Sequence, residues 1–122
     1  ELIEPYAKAL VALGIVSGYV FYGDGLDELT LTGPTTYAKI DQGEISLGTL
    51  TPDDLGLAAC KLEDILGGAP EENMAQGQAV LAGKLPGPKT DMVVAGAAAA
   101  IRVSQDFKVS WNDAVRMARE KL

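Results

Sequence analysis

Ser17 to Tyr22, Ser-Gly-Tyr-Val-Phe-Tyr, is the segment that most narrows the fold of this chain. Its aromatic and β-branched content fits a buried strand, and it lies between a helical pattern and a glycine-sprung loop. Upstream, Leu2, Ile3, Tyr6, Ala7, Leu10 and Leu13 recur at helical spacing, so residues 2–13 are expected to form a helix that stops at Gly14. Downstream comes Gly23-Asp24-Gly25-Leu26-Asp27-Glu28-Leu29-Thr30-Leu31-Thr32-Gly33-Pro34-Thr35. Helix, short link, strand and acidic loop in that order predict an α/β arrangement, in which the carboxyl ends of strands point into the ligand crevice. Asp27 and Glu28 then hang at the edge of that crevice. Neighbours on an extended segment point to opposite faces, but on a turn loosened by glycine two adjacent carboxylates can converge. Hard oxygen donors of this kind suit Mg²⁺, which takes one or two protein carboxylates and leaves its other positions to water and substrate phosphate. An Asp-Glu pair in a loop is more commonly a solvated surface turn, and the residues alone leave both readings open.

Composition limits the chemistry. At 122 residues the chain is one domain at most, large enough for a core if complete. Ten Lys and Arg against seventeen Asp and Glu give a net charge of -7, and no basic stripe relieves it, so nucleic acid is not an expected partner. The absence of histidine removes the commonest general base and transition-metal ligand. Carboxylates, Lys, Arg and Tyr remain. The single cysteine, Cys60, has no partner for an internal disulfide and reads as a small apolar filler. The longest nearly unbroken apolar run, Met92 to Ile101, is about half of the roughly 20 residues a membrane span needs, so it reads as a buried helix. No charged segment followed by an apolar one opens the chain, and a cytoplasmic setting is expected. Residue 1 is not methionine and residues 2–13 already look helical, so the chain reads as beginning inside a larger fold.

The remaining segments carry structural signals. Thr36 to Ile40 and Glu44 to Leu50 alternate around Asp41-Gln42-Gly43, which predicts a hairpin that could serve as a flap. Thr51-Pro52-Asp53-Asp54 has a hydroxyl cap, a proline and acids at the positive end of a helix dipole, with Gly56 as an early stop. Gly67 to Asn73 reads as a loop passing into a helix that carries Met74, Ala75, Gln78, Ala79, Leu81 and Ala82 and stops at Gly83. Glu71 and Glu72 fit the start of that helix as dipole partners. Lys84 to Lys89 reads as a stiff linker, and Asp91 precedes the alanine-rich helix, whose small side chains permit close packing. In the last helix, Ser110 and Asp113 have capping-box spacing, and Trp111, Val115, Ala118 and Leu122 form one apolar face. Arg116, Arg119 and Lys121 sit where the dipole favours cations.

Four segments together carry a family resemblance: the run from Gly23 to Thr35, Leu50-Thr-Pro-Asp-Asp-Leu-Gly-Leu57, Gly67-Gly-Ala-Pro-Glu-Glu-Asn73, and the alanine-rich helix after Asp91. Their order and spacing resemble anthranilate phosphoribosyltransferase, over essentially the whole of this chain but only the C-terminal part of the family's. The resemblance implies a nucleoside phosphorylase/phosphoribosyltransferase-type α/β domain, with a central sheet, flanking helices and a β-hairpin insertion. Residues 1–122 then form the C-terminal part of that domain. It implies transfer of phosphoribose from phosphoribosyl pyrophosphate to anthranilate in tryptophan biosynthesis. Asp27 and Glu28 match the family's acidic pair, which holds Mg²⁺ near the diphosphate.

Other family elements have no counterpart in these residues: the glycine-rich phosphate loop, the Lys-His-Gly-Asn segment, the anthranilate-contacting arginine and the N-terminal helical region that makes the family's homodimer. Gly96 stands where the family often has asparagine. By this resemblance the chain alone is expected to be inactive and to lack the family's dimer contact, and the unpaired edges of a partial sheet favour self-association. Two classes of function follow. Either the chain is part of the enzyme and contributes half of its crevice, chiefly the metal loop, or it is a non-catalytic paralogous α/β binding module without the substrate-binding half.

Overall fold

The computed structural model describes residues 2–122. The first helix, α1, runs Ile3–Ala12 and is closed by Gly14, whose φ of 93° lets the chain reverse while Gly14 N donates to Val11 O at 2.9 Å. Three strands follow, β1 (Ser17–Gly23), β2 (Thr35–Asp41) and β3 (Glu44–Leu50), in one antiparallel sheet of order β1-β2-β3. The register sets Ser17 opposite Asp41 and Gly23 opposite Thr35, then Thr35 opposite Leu50 and Asp41 opposite Glu44. Between β2 and β3 the φ values of Gln42 (52°) and Gly43 (81°) are both positive, the hand that suits a two-residue hairpin turn.

The structure refines two expectations. The hairpin of β2 and β3 is present, but β2 pairs with β1 over all seven of its residues, so the hairpin is a continuous part of the sheet rather than a free flap. No two described strands are parallel. The acidic loop therefore leaves the end of β1 and turns back into β2, instead of lining a crevice formed by parallel strand ends.

Strand alternation divides the core in two. Val20, Ala38, Ile40 and Ile45 face α1, where Ala7, Ala38 and Ile40 are fully buried. Tyr19, Phe21 and Tyr37 face the opposite way, onto the larger core built from the remaining helices. After β3, Asp53–Leu55 makes a single 3₁₀ turn, stopped by Gly56 at φ 66°, and Asp54 accepts hydrogen bonds from the backbone and hydroxyl of Thr51 at 2.7 and 2.8 Å. The four-residue α2 (Leu62–Ile65) is too short to have shown a period in the sequence. α3 (Pro70–Leu81) starts at its proline, so Asn73 belongs to the helix and not to the preceding loop. From there its amide reaches back to Gly68, accepting from the backbone nitrogen at 2.8 Å and donating to the carbonyl at 3.0 Å. α4 (Pro88–Ser104) likewise begins at a proline, one turn before the alanine-rich run, and takes Lys89 out of the linker.

Val94, Ala95, Ala98 and Ala99 of α4 pack against Ala114, Val115 and Ala118 of α5 (Trp111–Arg119), with Leu29, Leu31, Leu50, Leu55 and Leu57 completing the larger core. Ser110 caps α5 as its spacing predicts, its hydroxyl accepting from Asp113 N at 3.1 Å and donating to Asp113 Oδ2 at 2.7 Å. Arg102 ties the two helices to the sheet. It donates to Val109 O at 2.8 Å, Tyr19 OH at 2.7 Å and Phe107 O at 3.3 Å, and its guanidinium lies 4.6 Å from the centre of the Trp111 ring.

Candidate functional site

The acidic pair is presented by a backbone that is fastened on both sides. On the β1 side, Gly23 N donates to Leu26 O at 2.9 Å and Leu26 N to Gly23 O at 2.8 Å, closing a two-residue turn whose central residues, Asp24 (φ 47°) and Gly25 (φ 87°), both have positive φ. Asp followed by Gly is the pair such a turn favours. On the β2 side, Leu29 and Leu31 enter the larger core and Thr30 is buried between them. Asp27 and Glu28 stand between these anchors on an exposed bend.

A chain of threonines holds the return to β2. Thr30 N donates to Thr35 Oγ1 at 3.1 Å in the interior, and the hydroxyls of Thr30 and Thr32 are 3.0 Å apart. Thr32 N also donates to Thr30 Oγ1 at 3.1 Å, while the Thr32 hydroxyl reaches toward Asp24 Oδ2 at 3.5 Å. Every member of this chain comes from the one motif, Gly23 to Thr35, which is why it folds locally.

The two acidic residues border different hollows. Asp27 lines a hollow of about 710 Å³ whose other walls are apolar and aromatic, including Leu2, Ile3, Tyr6 and Leu10 of the α1 segment and Phe21 and Tyr22 of β1. Glu28 lines a second hollow, of about 600 Å³, between α3 and α4. Glycine loosens the turn at residues 24 and 25, and the acids follow it on the bend at residues 27 and 28, before the chain enters the core at Leu29. The Glu28 hollow carries amide and ammonium groups. Asn73, Gln76 and Lys89 line it, with Lys89 Nζ donating to Gln76 Oε1 at 2.5 Å. Gly77 and Gly96 also line it, so the position where asparagine was expected by resemblance contributes no polar group.

The donor chemistry fits Mg²⁺ shared with a phosphate group. Among the described residues no cluster of three or more His, Cys, Asp or Glu could form a cage around a metal. Exposed carboxylates on a bend are the kind of hard ligand of which Mg²⁺ takes one or two from protein when substrate oxygens and water supply the rest. Cys60 is placed as filler: its backbone nitrogen donates to Leu31 O at 3.0 Å, it packs against the larger core, and burial raises its thiol pKa, with Asp64 and Asp91 adding to the rise. No described helix is long and apolar enough to cross a membrane.

The comparisons with known proteins agree with this architecture. Among curated relatives, the anthranilate phosphoribosyltransferase of Lachnoclostridium phytofermentans is 41% identical over 120 residues, covering 98% of this chain and 35% of that one. The Haloferax volcanii enzyme of the same name is 38% identical, covering 100% and 37%. This chain therefore spans just over a third of the length of these relatives. Among solved structures, anthranilate phosphoribosyltransferase from Thermus thermophilus superposes with a TM-score of 0.88 at 36% identity, covering 99% of this chain and 35% of that one. The Saccharomyces cerevisiae enzyme in complex with PRPP and Mg gives 0.85 at 27% identity, covering 98% and 35%. The sequence profile of the glycosyl transferase family, a/b domain, matches residues 1–122, and the chain belongs to that family.

Proposed function

We propose that this chain is part of an anthranilate phosphoribosyltransferase, which moves phosphoribose from phosphoribosyl pyrophosphate to the amino group of anthranilate in tryptophan biosynthesis. Residues 1–122 form the C-terminal part of its α/β domain. The observation that carries this reading is the likeness to enzymes of that name along 98% or more of the chain, in sequence and in fold, with the acidic loop within the matched region. The yeast neighbour solved with PRPP and Mg supports the metal.

In this reading Asp27 and Glu28 hold Mg²⁺ at the diphosphate. The bound ion would offset the negative charge that builds on departing pyrophosphate, a charge larger in the transition state than in the ground state. The chain's own residues prepare that task. The Gly23–Leu26 turn and the buried Leu29-Thr30-Leu31 segment hold the carboxylates at the surface, where among the described residues no ion pair has to be broken before they bind. Lys89 faces the same hollow as Glu28 and brings a positive charge to a phosphate there. Turnover requires the phosphate loop and the anthranilate site, which these residues do not contain, and the complete protein is a cytoplasmic homodimer.

Asp27→Ala combined with Glu28→Ala in the complete protein tests the assignment. Turnover is expected to fall about tenfold or more and the Mg²⁺ requirement to rise, with the circular dichroism spectrum and melting temperature retained. A magnesium titration that superposes on that of the parent would refute the site.

A further inference from the structure

We propose that Gly23 is a positioning residue for the acidic pair: the space where its side chain would stand is the seat of the Glu28 carbonyl, and this seat sets where Asp27 and Glu28 are held. The inference rests on the reading of the pair as Mg²⁺ ligands. A Cβ placed on Gly23 would lie 2.6 Å from Glu28 O, 2.6 Å from Thr30 Cγ2 and 2.9 Å from Thr35 Oγ1. All three are closer than non-bonded heavy atoms tolerate. Gly23 lies in a regular strand, so space rather than backbone conformation demands the glycine. Gly25, two residues on, is the reverse case, with φ 87° and nothing within 4 Å of its missing Cβ.

The walls of the seat differ in how far they can yield. Thr30 and Thr35 are 1% and 0% exposed and joined by the Thr30 N to Thr35 Oγ1 hydrogen bond. Gly23 is itself tied through both of its backbone polar groups, to Leu26 in the turn. Glu28 is exposed, and among the described residues no ion pair holds its side chain or that of Asp27. Added bulk at residue 23 is therefore relieved by moving the Glu28 main chain outward. That displacement carries both carboxylates with it while leaving their chemistry intact.

The test measures binding of Mn²⁺, used as a paramagnetic stand-in for Mg²⁺, to the complete protein, following free Mn²⁺ by electron paramagnetic resonance. Gly23→Ala is expected to weaken binding about tenfold, in the range found when groups supporting a metal ligand are removed. Asp27→Asn should weaken it at least as much. Gly18→Ala, in the same strand with only Ile15 Cγ2 at 4.0 Å from the added methyl, should bind as the parent does. If Gly23→Ala does not fold by circular dichroism, Thr35→Val and Thr35→Ser decide the matter, because only the serine keeps the acceptor for Thr30 N. Weakened binding in Thr35→Val with parental binding in Thr35→Ser supports the seat. If Asp27→Asn weakens binding while Gly23→Ala, or failing that Thr35→Val, binds as the parent does, positioning by Gly23 is overturned and the metal assignment stands. Parental binding by Asp27→Asn overturns both.

Discussion

Tyr19 is the residue through which the most distant parts of the chain meet. Its ring lies 5.1 Å from Phe21, 5.7 Å from Tyr37, 5.3 Å from Phe107 and 5.6 Å from Trp111, centre to centre, and its hydroxyl accepts from Arg102. Such edge and offset contacts add to the gain from burial. Phe107 reaches its place through a turn in which it and Asp106 both have positive φ, 57° and 51°, a strain that the ring contact and the Phe107 N to Arg102 O bond of 2.7 Å help offset. Burial pushes the Tyr19 phenol up to about 12, against the opposing pull of the Arg102 guanidinium. The folded chain thus holds this proton more tightly than the unfolded chain does. The stability contributed is whole below the ordinary tyrosine value of about 10 and is lost as the pH rises through about 12. In an alkaline absorbance titration, one of the four tyrosines should ionise late, and Tyr19→Phe should remove that late step. A single phenolate transition near the ordinary value would contradict the buried placement.

Among the elements, α5 depends most visibly on one side chain. Replacing Ser110 by alanine leaves Asp113 N without its cap and should cost about 1 kcal/mol in urea unfolding. The Ser110 hydroxyl bond, followed by Arg116, lowers the Asp113 pKa. A lowered carboxylate stabilises the fold above its unfolded pKa, and the contribution disappears as the pH falls through the folded value. Ser110→Ala should therefore lose less stability on acidification than the parent, measured as urea midpoints across the carboxylate range. This cap was legible in the sequence because both partners lie within four residues, and the stops at Gly14, Gly56 and Gly83 were legible because each needs only a local positive φ. Signals became less legible as sequence distance grew. Pro70 and Pro88 mark helix starts by the same local rule, but the surrounding polar residues read as loop and linker. The Arg102 to Tyr19 bond joins residues 83 apart and had no local signal. For the site, the motif identified the Asp27-Glu28 pair, while the hollows that the two acids border depend on α1, α3 and α4 arriving in place, and the crowding at Gly23 on the fold of the motif itself.

At the scale of the whole molecule, the two faces of the sheet are unequally covered. Leu2, Tyr6, Val16 and Tyr22 are 78%, 61%, 60% and 51% exposed, and they lie on or next to α1 and β1, one of the two strands that pair on one side only among the described strands. A large apolar surface beside an open strand edge favours association, although the net charge of -7 opposes it. The 122-residue chain, prepared by itself, should show a mass by light scattering that rises with concentration and with salt. A constant monomer mass in both series would contradict this. The separation of the cores also decides what an optical probe can detect. The only tryptophan, Trp111, lies against the Arg102 guanidinium and the Tyr19 ring on the α4 and α5 side, whereas α1 packs on the other face of the sheet. Its fluorescence therefore reports the docking of α5 onto the sheet and is blind to the detachment of α1, so a denaturation curve recorded at that single emission describes one half of the molecule.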